Sequence, residues 1–267
     1  MFKHFYGLSF NPFDKSISEK DCFVSVDHKQ MVSRLNYLKD VRGIGVFTAP
    51  PGMGKSYALR CFAKELNPNL YQMVYICLST ITVTEFYRQF CTMLGIDAGG
   101  RKTDMFKAIQ DRVYYLFKEK RKTLLVAIDE SQYLNSAIFR DLKMLMNINY
   151  DSLDCFALIL VGEPYLNNIL GKPVHESLKQ RITVHYNYQG LSGQETADYV
   201  YHKIDAAGGA RSIIDDAAIN AIAGFCQGTP RLIDNLMTDA LTLGAQLKKS
   251  SIDAELILAA SNNQSLG

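Results

Sequence analysis

The stretch Ala49-Pro-Pro-Gly-Met-Gly-Lys-Ser56 decides the fold. It follows the apolar run Ile44-Gly-Val-Phe-Thr48 and precedes a segment in which Leu59, Phe62, Ala63 and Leu66 recur at helical spacing. A strand delivers the chain, a glycine-containing loop turns its N–H groups inward, and a helix N-terminus points at an anion. That order makes a phosphate cradle. Pro51, Gly52, Met53, Gly54, Lys55, Ser56 and Tyr57 are the predicted nucleotide-binding residues. The Lys55 ammonium is expected at the β- and γ-phosphates and the Ser56 hydroxyl on Mg²⁺. Ala49 stands where the pattern opens with glycine, and Pro50 biases it toward extended backbone that alanine adopts freely.

Outward from the loop, helices and apolar strands alternate. Met73–Leu78, Leu124–Ile128, Phe156–Val161 and Ile182–Tyr188 read as further strands, and residues 84–94, 103–117 and 139–146 as helices. Near-continuous apolar strands separated by helices predict an α/β fold with a parallel five-stranded sheet covered on both faces. Upstream, residues 1–26 read as irregular, with a turn at Asn11-Pro12-Phe13. Asp27 is expected to cap a helix with Gln30 reaching back, and His28 reads as a first-turn residue of that helix. After Gln189-Gly190 no strand pattern remains. Ser192-Gly-Gln-Glu195 predicts a capping box that opens a helix to Ile204, and helices follow over 215–225, 230–247 and 252–260. The expected domains are a nucleotide-binding α/β domain over 1–189 and a helical lid over 190–267.

The 267 residues are 48% hydrophobic and 21% charged, as in a globular chain that buries a sizeable core. A net charge of +2 gives no basic footprint for nucleic acid, although a local patch is compatible with it. Cys22, Cys61, Cys77, Cys91, Cys155 and Cys226 form no CxxC pair and no zinc spacing, so free thiols in a reducing cytoplasm are expected. The N-terminus has no h-region of a signal peptide, and the longest apolar run, Cys155–Val161, is too short for a bilayer. A cytoplasmic protein without membrane attachment is the expectation.

The second chemical signal is Leu124-Leu-Val-Ala-Ile-Asp-Glu130. An apolar strand that ends in two acids places Asp129 at the carboxyl end of the sheet, where ligands bind in such folds. Asp129 is the predicted second holder of the Mg²⁺ shell and Glu130 the base for the attacking water, which points to hydrolysis.

Together with Lys55-Ser56, these acids resemble those of an AAA+ ATPase, more narrowly the ExeA-like branch. That branch includes the cytoplasmic part of a type II secretion ATPase and ATPases encoded beside transposases. The segments that carry the resemblance are Phe5-Tyr-Gly-Leu-Ser-Phe-Asn-Pro-Phe13, Asp129-Glu-Ser-Gln132, Leu145-Met-Asn147, Leu160-Val-Gly-Glu-Pro164 and Gly228-Thr-Pro-Arg231, spread over nearly the whole chain. The resemblance implies ATP and Mg²⁺ as cofactors. It implies an arginine finger at Arg181 that reaches a neighbouring protomer's γ-phosphate, a second sensor at Arg231 on the lid, and a first sensor at Glu163. Relatives usually carry a neutral residue at that last position. A carboxylate there must turn away, take up a proton or pair with a cation such as Arg181.

Transposon-encoded relatives assemble on duplex DNA as rings or filaments. The matching segments are Ser79–Thr82 and Gly99–Thr103, so Thr82, Arg101, Lys102 and Thr103 are the candidate phosphate contacts, while Lys118–Lys122 reads as a solvated helix end. The expected function is an ATP-dependent homo-oligomer on duplex DNA that helps a transposase. Secretion relatives continue past the lid into a membrane span, whereas this sequence stops at Gly267, which tilts the expectation toward transposition. The alternatives are a secretion-assembly ATPase and a scaffold that uses ATP only as an assembly switch.

Overall fold

The computed structural model describes residues 2–14, 22–77 and 79–264. Leu78, the expected end of the second strand, lies outside them, as do parts of the 1–26 segment. The chain divides into two compact units. One comprises Gln30–Pro51 and Lys55–Tyr188, the other Met1–Lys29, Gly52–Gly54 and Gln189–Gly267.

The first unit is built on five parallel strands: β1 (Ile44–Thr48), β2 (Tyr71–Ile76), β3 (Thr123–Ile128), β4 (Phe156–Gly162) and β5 (Ile182–Asn187). Their order is β2-β3-β4-β1-β5. Every residue of β1 and β4 is buried, which is why these strands read as unbroken apolar runs. The register pairs Ile128 with Leu160, Val46 with Leu160 and Thr48 with Gly162. The residues that follow β1, β3 and β4 therefore emerge side by side at one edge of the sheet, where the chain reverses its winding direction.

Helices α1 (Phe2–Phe5) and α2 (Val26–Val41) precede β1 in the sequence, and between the strands run α3 (Lys55–Glu65), α4 (Val83–Met93), α5 (Lys102–Lys118), α6 (Ser136–Met146), α7 (Tyr165–Leu170) and α8 (Glu176–Lys179). Thr82 and Glu85 form a capping box at the start of α4, whose Phe86, Tyr87 and Phe90 are fully buried. Burying such a ring stabilises the fold by about 1.5–3 kcal/mol. Asn135 caps α6, its side chain accepting from Ala137 N, so that helix begins three residues before the expected Phe139. The cap rather than the first large apolar residue sets the boundary.

The helix over Val26–Val41 corrects a second expectation. Ser25, not Asp27, caps it: His28 N donates to Ser25 Oγ at 3.1 Å. Asp27 is buried and accepts instead from Gln189 N and Gly190 N. The sequence holds two good capping residues two positions apart, and the bonds to residues 189 and 190 decide between them.

The second unit is helical, with the four-residue turn Phe2–Phe5 and the helices Gly193–Ala206, Asp216–Cys226, Pro230–Gln246 and Ala254–Gln264. Ser192 and Glu195 form the expected capping box. The N-terminal segment is not merely a leader to the sheet. Tyr6, Leu8 and Phe13 are buried in this unit's core with Ile204, Leu236 and Ile257, and Tyr6 O–H donates to Lys249 O at 2.9 Å. Beside that core Lys203 Nζ and Tyr199 O–H both donate to Asp234 Oδ1, at 2.7 and 2.9 Å. All six cysteines are free.

Candidate nucleotide site

The loop between β1 and α3 has the conformation the sequence anticipates. Gly52 and Gly54 adopt φ of +83° and +89°, the left-handed region that disfavours a side chain. A Cβ at Gly54 would touch nothing within 4 Å, so backbone conformation rather than crowding accounts for that glycine. Lys55 is 6% exposed, and its Nζ donates to Ala49 O at 2.7 Å and Pro50 O at 3.1 Å, which holds the ammonium inside the loop. Ala49 N donates to Gly162 O, extending the β1–β4 pairing into the loop. Ser56 is exposed, and half-buried Tyr57 lies under the Arg60 guanidinium, 5.1 Å from the ring centroid.

Asp129 follows β3 directly and is 4% exposed. Its Oδ2 accepts from Ser56 Oγ at 2.7 Å and from Tyr75 O–H at 2.6 Å, and its Oδ1 accepts from Glu130 N at 2.9 Å. The three donors are neutral. Burial, then the hydrogen bond and charge of Asp129, push the Tyr75 phenol well above its usual range, so it remains a donor. Sequence reasoning missed Tyr75. Only the β2–β3 register, Tyr75 with Ala127, brings its strand beside Asp129.

Glu130 has a left-handed backbone, φ 51° and ψ 38°, a conformation that costs a non-glycine residue about 1–2 kcal/mol. Ser79 Oγ and Tyr133 N both donate to its carbonyl, at 2.9 and 3.0 Å, and fix the turn. Its carboxylate accepts from Gln132 Nε2 at 2.7 Å. Gln132 Oε1 in turn accepts from Glu163 N at 3.0 Å. The loop, Ser56, Asp129, Glu130 and the backbone of Glu163 therefore lie together at the carboxyl edge of the sheet.

Of the remaining predicted residues, Arg231 touches the phosphate loop at Gly52, while Arg181, Thr82, Arg101 and Lys102 have other partners. Arg181 is paired with Asp151 rather than with Glu163. Arg231 is exposed in the first turn of the Pro230–Gln246 helix, and its N donates to Gly52 O at 3.3 Å within the second unit. Thr82 and Arg101 precede α4 and α5, with Thr82 Oγ1 on Glu85 and Arg101 N on Asp104. Thr103 is exposed. Lys102 pairs with the buried Asp141 at 2.5 Å and lies over the Tyr87 ring, so its charge already has a partner.

The residues present fit a nucleotide and Mg²⁺. Ser56 and Asp129 offer hard oxygen donors, and Mg²⁺ takes one or two carboxylates together with phosphate and water. Among the described residues there is no group of three or more His, Cys, Asp or Glu side chains able to hold a metal.

Residues 38–170 match the AAA domain family. The fold is that of an α/β P-loop NTPase with a five-stranded parallel sheet. Over 97% of its length the chain is 30% identical to general secretion pathway protein A of Aeromonas hydrophila, and it spans 48% of that protein. Among solved structures it resembles Cdc6p of Pyrobaculum aerophilum, with a TM-score of 0.73 at 15% identity over 96% of this chain and 71% of that one. The Aeropyrum pernix ORC1 protein in complex with DNA gives 0.65 at 14% identity over 91% and 66%. The RuvB branch-migration motor of Thermotoga maritima gives 0.59 at 18% identity over 97% and 74%. These likenesses establish the fold. No helix among the described residues is long and apolar enough to cross a membrane.

Proposed function

We propose that this AAA+ protein binds ATP with Mg²⁺ at the Ala49–Ser56 loop and hydrolyses it. The observation that carries the reading is the meeting of Ser56 Oγ with Asp129 Oδ2 at 2.7 Å, with the Glu130 carboxylate anchored next to it. Bound Mg²⁺ would supply charge neutralisation for the phosphates. Lys55 and the loop amides bind and orient the phosphates, while Ser56 and Asp129 hold the ion. Glu130 accepts a proton from the attacking water. Glu163 contributes its backbone, which is committed to Gln132.

In the same reading Arg181 leaves Asp151 to serve a neighbouring protomer, and Arg231 reports the nucleotide to the lid, so ATP promotes homo-oligomers. ATP binding and turnover by purified wild type, Glu130→Gln and Arg181→Ala test these roles. Both variants are expected to bind ATP, and turnover is expected to fall about 10²–10⁴-fold in the first, the usual range for a general base. Full hydrolysis by Glu130→Gln contradicts the base assignment, and full hydrolysis by Arg181→Ala contradicts the finger.

Two settings for the ATPase differ in partner. In the first it assembles on duplex DNA and assists a transposase, with phosphate contacts from Arg101, Thr103 and Thr82; the paired Lys102 contributes least. The second is secretion assembly, and the 30% identity to general secretion pathway protein A over nearly the whole chain favours it. Electron microscopy with a slowly hydrolysed ATP analogue, with and without duplex DNA, separates them. Assemblies that need DNA, with a salt slope lowered by about one in Arg101→Ala, support the first. Assemblies indifferent to DNA support the second.

A further inference from the structure

Gln132 is 7% exposed and bridges two parts of the site. Its Nε2 donates to Glu130 Oε2 at 2.7 Å, and its Oε1 accepts from Glu163 N at 3.0 Å. The partners fix the amide's orientation, because a carboxylate only accepts and a backbone N–H only donates. Glutamine combines one donor and one acceptor at this reach. Glutamate keeps the acceptor but brings a second negative charge to Glu130, methionine keeps the length without either function, and asparagine is a methylene short.

The surroundings are shaped to this amide. A Cβ at Gly162 would lie 2.4 Å from Gln132 Oε1, so an alanine there evicts the side-chain end. Gly162 O also accepts from Ala49 N at the start of the phosphate loop. Glu130 and the loop are thus both referenced to the last residues of β4, the Glu130 carboxylate through the Gln132 amide.

We infer that Gln132 is the positioning residue for the Glu130 carboxylate, holding it in register with the end of β4 and so with the phosphate loop. The inference rests on the ATPase reading above. A carboxylate held on one side by a buried amide keeps one face for water, whereas a released one samples several rotamers. Misplacing a reacting group by about 1 Å costs on the order of 10²-fold in rate.

The experiment measures ATP affinity, kcat, KM and melting temperature for wild type, Glu130→Gln, Gln132→Met, Gln132→Glu and Gly162→Ala. In each of the last three, kcat is expected to fall about 10–100-fold, while ATP affinity stays within about threefold and the protein melts cooperatively. Gln132→Glu, nearest in shape, is expected to be at least as slow as Gln132→Met. In the Glu130→Gln background, adding Gln132→Met is expected to change kcat no further. Wild-type kcat in Gln132→Met and Gln132→Glu overturns the inference if Glu130→Gln remains inactive. Wild-type kcat in Glu130→Gln as well overturns the base assignment on which the inference rests, and absence of ATP turnover in the wild type overturns the ATPase reading itself. Should Gln132→Met fail to fold, Gly162→Ala, which retains the glutamine but displaces its amide, decides between the same outcomes.

Discussion

Asp129 and Asp234 are near twins that differ in one partner. Each is largely buried and accepts a hydrogen bond from a tyrosine hydroxyl, Tyr75 for Asp129 and Tyr199 for Asp234. The second side-chain donor to Asp234 is the Lys203 ammonium, and the pair sits among the rings of Tyr199 and Phe13. Among the described residues Asp129 accepts besides from the Ser56 hydroxyl and the Glu130 N–H. One carboxylate is neutralised within the fold. The other is hydrogen-bonded to neutral groups at the edge of the sheet, with no ion pair among the described residues. A buried charge without a counter-ion costs stability, a cost that the Mg²⁺ proposed at Asp129 would relieve.

The largest effect that sharpens this contrast is on chemistry. Asp129→Asn removes the charge and keeps one oxygen as the acceptor for Ser56 and Tyr75, giving up the bond from Glu130 N. ATP turnover is expected to fall on the order of 10²-fold while the nucleotide-free protein melts at or above the wild-type temperature. A clear loss of nucleotide-free stability would mean that Asp129 serves the scaffold. Next in size is the opposite substitution. Asp234→Asn strands the Lys203 ammonium in a half-apolar site and is expected to cost about 2 kcal/mol in urea unfolding, less than a fully buried pair because both groups keep some exposure. An unchanged midpoint would break the comparison from the other side.

The smallest effect concerns a third buried group, one with no role in the site. His175 is 2% exposed, its Nδ1 has no partner, and its Nε2 lies 3.1 Å from Ser136 Oγ beside the Phe139 ring. Burial first, then the charges of Arg140 and Lys172, hold its pKa below the ordinary histidine value. The unfolded chain takes up a proton near the ordinary value of about 6.5, and the folded chain resists it. The stability present above that pH is therefore lost as pH falls below it. Melting temperature is expected to drop between pH 7 and pH 5, with a shallower slope in His175→Gln.

The phosphate loop, the Asp129-Glu130 pair, the strands and the capping box at Ser192 were legible because each is local: a run of apolar residues, a glycine spacing, a capping pattern. What escaped depends on contacts distant in sequence. Tyr75 reaches Asp129 only through strand register, and Gln132 gains meaning only when Glu163 N arrives from β4. Asp27 looks like a cap until its oxygens meet residues 189 and 190. Lys102, read as a candidate phosphate contact, is paired with Asp141, which lies on another helix. The N-terminal aromatics carry no period, so their place in the helical core followed from packing alone.

The central claim is that Asp129 keeps its charge for a cation that arrives with a nucleotide. Thermal melting of wild type and Asp129→Asn, each with ATP plus Mg²⁺ and with ATP plus a chelator, tests it most directly. Ligand bound only to the folded state raises the melting temperature. The account predicts a rise in wild type that is larger with Mg²⁺ than with the chelator, and a variant in which the Mg²⁺-dependent part is gone. The same Mg²⁺-dependent rise in Asp129→Asn, or none in wild type, would contradict it.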